Sequence, residues 1–303
     1  MVSLKMHNVN KAYGKIHAVK DLNLAIQQGD IFGLLGPNGA GKTTAIRMIM
    51  DILRPDSGYI EIFGKPNSAT LRDEIGYLPE ERGLYKKMNV FDVISFFAEI
   101  KSVPQKEIPD RASNLLQKLD LLDWRDKKVE ELSRGMQQKL QFICTVIHEP
   151  KLIILDEPFT GLDPVNTRIL KDMMLDMKAK GTTIIFSTHL MEQVEKLCES
   201  ICLINRGESI LRGKVSDIKT TFGKNRVRMS YEGKADFLTD PSYIASYDDY
   251  GQYVEIQLAE GVSSQELLKN AMQKVAVQHF EIADPSLNEI FISTVKSEGN
   301  NHA

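Results

Sequence analysis

Long apolar runs are missing from this chain. No stretch of about 18 consecutive apolar residues occurs in its 303 positions, so the sequence offers no helix able to span a bilayer by itself. Cysteine is scarce. Cys144, Cys198 and Cys202 form an odd set without a framework of spacings, which argues against a disulfide scaffold and for a reducing compartment. Cys198 and Cys202 are four apart with no histidine or third cysteine beside them, so they read as packing residues and not as a metal site. An excess of one charge is also lacking. A net charge of -3 provides no bulk attraction to nucleic acid. The opening residues Met1-Val2-Ser3-Leu4-Lys5 show no secretory leader pattern. Together these absences give the expectation of a cytoplasmic protein. Hydrophobic content of 42% and charged content of 26% are ordinary for a globular chain, whose length suits one large domain plus a small one.

What is present is organised around Gly36-Pro37-Asn38-Gly39-Ala40-Gly41-Lys42-Thr43-Thr44. This fits G-x-x-x-x-G-K-[ST], a phosphate-binding loop. Its glycines let the backbone wrap an anion so that successive N–H groups point inward. Lys42 can reach the β- and γ-phosphates of a nucleotide, and the Thr43 hydroxyl can ligate Mg²⁺. The flanks agree with the motif. Ile31 to Leu35 is a short apolar run read as a buried strand, and Thr44 to Met50 reads as a helix. The helix N-terminus would add its dipole to the anion site.

Along the chain, residues 3–9 and 16–26 read as strands joined by a turn around 11–15, with Val19, Leu22, Leu24 and Ile26 near period 2. Tyr13 sits at that loop tip. An aromatic there can stack on a nucleotide base or be a half-buried turn tyrosine, and position alone does not choose. Residues 59–63 and 75–78 read as strands, and Glu80 to Tyr85 as a loop. The span of about 86–148 reads as mostly helical, with stripes such as Val90-Val93-Ile94-Phe97 and Leu115-Leu116-Leu119-Leu122. Its third helix runs from about Met136 to His148, with Ser133 as N-cap. Leu152 to Asp156 is continuously apolar until its end, which argues a strand buried on both faces of a parallel sheet. Pro164 suits the first position of the next helix. Thr182 to Phe186 reads as another strand, with Ser187-Thr188-His189 at its carboxyl end. From about Ser216 the character changes. Strands at 227–231, 253–258 and 277–282 and helices at 264–275 and 287–295 describe a small α+β domain. Asp248-Asp249 reads as a turn signal there, and Gly299 to Ala303 as a frayed tail.

The candidate chemistry is ATP hydrolysis. Asp156, ending a buried strand, suits a Mg²⁺-holding aspartate. Glu157 beside it can accept a proton from attacking water or orient that water. His189 stands where open α/β sheets place their ligands and can contact the γ-phosphate.

With those residues in hand, residues 1 to about 215 resemble the ATP-binding subunit of ABC transporters, in the family's order of motifs. Tyr13 matches the adenine-stacking aromatic, 36–44 the Walker A loop, Ile75 to Glu80 the Q-loop, and Leu152 to Glu157 Walker B. Leu132-Ser133-Arg134-Gly135-Met136-Gln137-Gln138 resembles the LSGGQ signature. Gly161-Leu162-Asp163-Pro164 matches the D-loop and His189 the switch histidine. The resemblance implies a P-loop NTPase α/β fold with a parallel sheet core, an antiparallel β subdomain and a helical subdomain, followed here by the small domain from 216. It also implies ATP and Mg²⁺, with Thr43, Glu80 and Asp156 on the metal side and Ser133, Gly135 and Asp163 contributing to nucleotide binding. A second copy of the chain and a separate membrane permease are the implied partners, with nucleic acid excluded. The chain would lie peripherally on the inner face of the membrane, docking through residues 83–100.

Two departures stand out. The signature carries Arg134 and Met136 where Gly and Gln are usual, and the Q-loop carries Glu80 where Gln is usual, with Arg82 a candidate to offset its charge. Residues 77–85 and the appended domain resemble the branch of sodium-extruding exporters, with drug and antibiotic-peptide exporters close by. A soluble ABC protein of the ribosome or DNA would carry tandem ATPase domains or long coiled coils, which this chain lacks. A regulatory ATP-binding module without turnover fits poorly with Glu157 and His189.

Overall fold

The computed structural model describes residues 1–81, 83–223, 226–283 and 285–300, with side chains to residue 295. The chain divides into two compact units, the first Met1–Lys214 and the second beginning at Val215.

The first unit starts with two long strands, β1 (Val2–Tyr13) and β2 (Ile16–Gln27), which turn directly at Gly14-Lys15. The ladder therefore continues through residues 11–13, where a turn was expected. Next come β3 (Ile31–Leu35), α1 (Lys42–Ile49), β4 (Ser57–Ile62), the two-residue β5 (Lys65–Pro66) and β6 (Ile75–Leu78). The helical part holds α2 (Val90–Ile100), α3 (Ile108–Lys118) and α4 (Arg134–Val146). Pro109 lies in the first turn of α3, where its missing N–H costs nothing. The unit ends with β7 (Leu152–Asp156), α5 (Pro164–Ala179), β8 (Thr183–Thr188), α6 (Met191–Leu197), β9 (Ser200–Asn205) and β10 (Glu208–Lys214).

Two sheets result. One is antiparallel, in the order β2-β1-β4-β5. The other runs β10-β9-β3-β8-β7-β6, parallel from β9 to β6, with β10 antiparallel at the edge. Strands β3, β7 and β8 are buried along their whole length, as continuous apolar strands in a parallel sheet should be. Leu4, Met6, Val9 and Leu22 of the antiparallel sheet share one core with Ile46, Met48 and Ile49 of α1 and with Leu34, Leu152 and Ile154 of the parallel sheet. That core fixes the first turn of α1 at the carboxyl ends of β3, β7 and β8, which is where the candidate site falls.

The second unit contains α7 (Val215–Gly223), β11 (Arg226–Glu232), β12 (Ile244–Asp249), β13 (Val254–Leu258), α8 (Ser264–Lys274), β14 (Ala276–Ile282) and α9 (Leu287–Asn300). Its antiparallel sheet runs β12-β13-β11-β14 over a core of Val227, Met229, Val254, Ile256, Leu267 and Ala271. The α+β expectation holds, with one correction. Asp248 and Asp249 are the end of edge strand β12, paired with Glu255 and Val254, and the turn lies after them. Five of the six residues of β12 are exposed, so an edge strand was hidden behind polar, turn-forming residues. Helix α7 was also not anticipated. Gly299 and Asn300 continue α9, and 301–303 lie outside the described residues.

Candidate functional site

Strand β3 delivers the chain to Gly36, and α1 begins at Lys42, so the phosphate loop is the strand-to-helix turn the motif requires. Two of its glycines are dictated by close approach. A Cβ on Gly36 (φ +149°) would stand 2.2 Å from the carbonyl oxygen of Ile204, and one on Gly41 (φ +112°) 2.2 Å from that of Ala18. Neither position tolerates a side chain without moving backbone. A cavity of about 230 Å³ opens here, lined by residues 38–44 together with Ala18, Glu80, Asp156 and Glu157. A larger cleft, about 770 Å³, lies beside Lys151 and Thr182, at the amino ends of β7 and β8, and holds none of these groups.

Lys42 is buried, and its Nζ donates to the carbonyls of Gly36 at 2.8 Å and Pro37 at 3.2 Å. Burial pulls its pKa below the ordinary lysine value, while Glu157, Asp156 and Glu80 oppose that shift. The ammonium is thus pinned over the loop with one donor left. The cavity wall sets three carboxylates against this one cation, a balance that suits a divalent cation arriving with a polyphosphate.

Asp156 ends β7 and is 1% exposed. Its Oδ1 accepts a hydrogen bond from Ser187 Oγ, and its Oδ2 is buried without a hydrogen-bond partner. An unpartnered buried carboxylate oxygen in a polar wall suits a metal ligand. Among the described residues no cluster of three or more His, Cys, Asp or Glu could hold a metal alone. A Mg²⁺ ion held by Asp156, Thr43 and Glu80 would therefore be completed by phosphate oxygens and water, its usual company.

Glu157 follows in the left-handed region at φ +50°, a conformation that costs a non-glycine residue roughly 1–2 kcal/mol. Its N–H donates to the Ser187 carbonyl at 3.1 Å. Its Oε2 accepts from Thr188 Oγ1 at 3.1 Å, and its Oε1 lies 3.2 Å from the His189 backbone N–H and 2.8 Å from the His189 Nδ1. His189 is half exposed, with its ring held against the carboxylate.

Helix α4 ties these segments down. Gln141 Nε2 donates to the carbonyls of Pro79 at 3.2 Å and Glu81 at 3.3 Å, bracketing Glu80, and Gln138 Nε2 donates to that of Pro158 at 3.1 Å. Arg82, the candidate to offset Glu80, lies outside the described residues. Ser133 caps α4, its Oγ accepting from the Met136 N–H at 3.2 Å. Ser133 and Gly135 do not line the cavity of their own chain. Gly135 instead faces the D-loop, where a Cβ on it would lie 3.7 Å from the Gly161 carbonyl oxygen. Asp163 caps α5 by accepting from Asn166, which holds its carboxyl below the usual range. Tyr13 ends β1, half exposed and outside the cavity lining. The structure thus gathers residues 38–44, Glu80, Asp156, Glu157 and His189, but not Tyr13, Ser133, Gly135 or Asp163. Ser187, Thr188, Gln138 and Gln141 join the site without having been assigned a role from the sequence. Only the first two carried a signal, standing directly before His189.

Comparison with known proteins agrees with this geometry. Residues 19–160 match the family model described as ABC transporter, and residues 213–295 the one described as ATP-binding protein DrrA1-3-like, C-terminal domain. The uncharacterized ABC transporter ATP-binding protein YhaQ of Bacillus subtilis (strain 168) is 42% identical over 96% of this chain and 98% of its own length. The linearmycin resistance ATP-binding protein LnrL of the same organism is 29% identical over 96% of this chain and 97% of its own. A solved structure of an ATP-binding subunit of an ABC transporter superposes with a TM-score of 0.69 at 31% identity, covering 73% of this chain and 93% of that one. Identity carried through both chains from end to end makes this protein a member of the ABC transporter ATP-binding family, and so an ATPase that binds ATP.

Proposed function

We propose that this chain hydrolyses MgATP at the cavity between residues 38–44 and the Asp156-Glu157 pair, and that it powers export through a separate membrane permease. The observation that carries the site is the unpartnered Asp156 Oδ2 in the wall facing the phosphate loop. The loop's N–H groups and the start of α1 bind the phosphates, and Lys42 directs its remaining donor at them. Glu157 accepts the proton of the attacking water, and His189 orients Glu157 and reaches toward the γ-phosphate. When bound at Thr43, Asp156 and Glu80, Mg²⁺ supplies charge neutralisation across the phosphates. Tyr13, at the end of the adjoining strand, stacks on the base.

Ser133, Gly135 and Asp163 belong in this reading to a site completed by a second copy, since one chain keeps them away from its own cavity. No helix among the described residues is long and apolar enough to cross a membrane, so the reading assigns the membrane path to a separate permease. The docking surface in this reading falls within residues 83–100, which follow Glu80 in the chain. There Tyr85 and Phe96, 50% and 37% exposed, stack edge to face with centroids 5.3 Å apart, and Phe97 adjoins them. Bound to the permease, the chain would sit on the inner face of the membrane.

Export is favoured by the alignment with LnrL, a resistance protein, through both units. The sodium expectation rests on residues 77–85 and the appended domain. The test is direct. Glu157→Gln should bind MgATP normally and lose ~10²–10⁴ in rate, the usual contribution of a general base. Near-normal turnover would remove Glu157 from the mechanism. Loss of antibiotic tolerance, or of sodium extrusion, on deletion of the gene decides the cargo.

A further inference from the structure

We infer that the carboxyl end of β8 is a positioning clamp, in which the Ser187 hydroxyl selects the oxygen that Asp156 offers to metal and the Thr188 hydroxyl holds Glu157 in its working orientation. The parallel register sets Asp156 directly beside Ser187, and both hydroxyl residues are buried, at 0% and 1% exposure. A carboxylate can only accept, so Ser187 Oγ is the donor to Asp156 Oδ1. That leaves Oδ2 without a partner in the cavity wall. Thr188 Oγ1 receives the Leu190 N–H at 3.1 Å. This contact occupies a lone pair and turns the hydroxyl proton toward Glu157 Oε2.

The need for such a clamp follows from the backbone. Glu157 sits in the left-handed region, just past the end of β7, where its N–H donation to the Ser187 carbonyl fixes the backbone but not the side chain. Its buried carboxylate also takes two contacts from His189, one from the backbone N–H and one from the half-exposed ring. Thr188 supplies the buried side-chain contact, on a stiff β-branched side chain. Two consecutive carboxylates are thus gripped by two consecutive hydroxyls, each with a different task.

The inference rests on Glu157 acting as base and predicts a division of labour. Thr188→Val should lower kcat by about tenfold or more while leaving binding of a fluorescent ATP analogue with Mg²⁺ unchanged, and Thr188→Ser should recover most of the rate. Ser187→Ala should weaken the Mg²⁺ dependence of analogue binding severalfold and leave Mg²⁺-free binding alone. Ser187→Thr keeps the donor if Ser187→Ala fails to fold. In the Glu157→Gln background, Thr188→Val should have no further effect on the residual rate, because residues acting as a unit are not additive. Equal losses from Thr188→Val with and without Glu157 would reveal a structural defect and overturn the clamp, as would identical profiles for the two hydroxyl variants. If Glu157→Gln is inactive and Thr188→Val turns over normally, the clamp alone is wrong. If Glu157→Gln is active, the base itself is wrong.

Discussion

Nδ1 of His189 lies 2.8 Å from Oε1 of Glu157, 32 residues earlier in the chain. The contact fixes the chemistry of both groups. Glu157 can only accept, so the ring donates through Nδ1, and a neutral ring then carries its lone pair on Nε2. Phosphate oxygens are acceptors, so His189 contacts the γ-phosphate either as a cation or after turning away from Glu157. His189→Ala removes the orienting contact and the donor together. It should cost ~10²-fold in kcat, the scale of one lost transition-state donor, with affinity for MgATP little changed. Single-turnover kinetics beside equilibrium nucleotide binding check this. A pure loss of affinity would exclude a role in the chemical step.

Glu80 stands where the family usually has Gln, and the structure places it in the cavity wall on a segment bracketed by Gln141. Glu80→Gln keeps the reach and removes one negative charge, so turnover should persist with unchanged or tighter MgATP binding. Glu80→Ala should lose coupling to the permease before it loses nucleotide binding. ATPase and transport assays on the reconstituted complex separate the two. Equal inactivity of both variants would give the carboxylate a task of its own.

The contiguous parts of the site, and His189 at a strand end, were readable in the sequence, and the cross-strand hydroxyls were not. Residues 36–44 announce themselves because one strand-to-helix turn holds the whole phosphate-loop motif in contiguous residues. Asp156 and Glu157 were legible because four apolar residues in a row, Leu152 to Leu155, lead directly into them. Thr188 and Ser187 were not, because their tasks depend on β8 lying beside β7 in one register, and no local pattern encodes a strand neighbour. Gln138 and Gln141 look like ordinary residues of α4, yet each donates to a carbonyl 20 or 60 residues away. Edge strand β12 escaped notice for the opposite reason, its pattern being polar enough to imitate a loop.

His148 gives the first unit a pH-dependent weakness. Burial, reinforced by Lys101, pushes its pKa down to about 4 from the ordinary 6.5, although its Nε2 lies 3.3 Å from the Ile75 carbonyl. Its Nδ1 is buried without a partner. The unfolded ring takes a proton near pH 6.5 and the folded ring only near 4. Between these values the unfolded state binds more protons, so stability is full above 6.5 and falls as pH drops toward 4. At ~1.4 kcal/mol per pKa unit, and with partial screening at this half-buried position, the loss should be roughly 1–3 kcal/mol. Urea titrations at pH 7 and pH 4.5 should show a smaller drop for His148→Gln than for the parent. An equal drop would place the acid sensitivity elsewhere.

Ser133 spends its hydroxyl lone pair on the Met136 N–H, and the N–H groups of Arg134 and Gly135 have no acceptor within their own helix. These groups open α4, which is exposed at Ser133 and Arg134 and lies outside the cavity of the same chain. A γ-phosphate held on the Walker A loop of a second copy would satisfy them and meet the positive end of the helix dipole. Gly135 suits that approach, since a phosphate must come close to backbone. Hydrolysis should then need two chains, and specific activity should rise with protein concentration when no permease is present. Ser133→Ala should still bind ATP as a monomer, its own phosphate loop being untouched. Mixing Ser133→Ala with Lys42→Ala chains should rebuild one complete site per heterodimer and restore part of the activity that neither variant has alone. The decisive comparison is ATPase rate against concentration, with sedimentation reporting the monomer fraction. Undiminished activity where only monomer sediments would mean that Ser133 takes no part in hydrolysis and that the cavity of a single chain is sufficient.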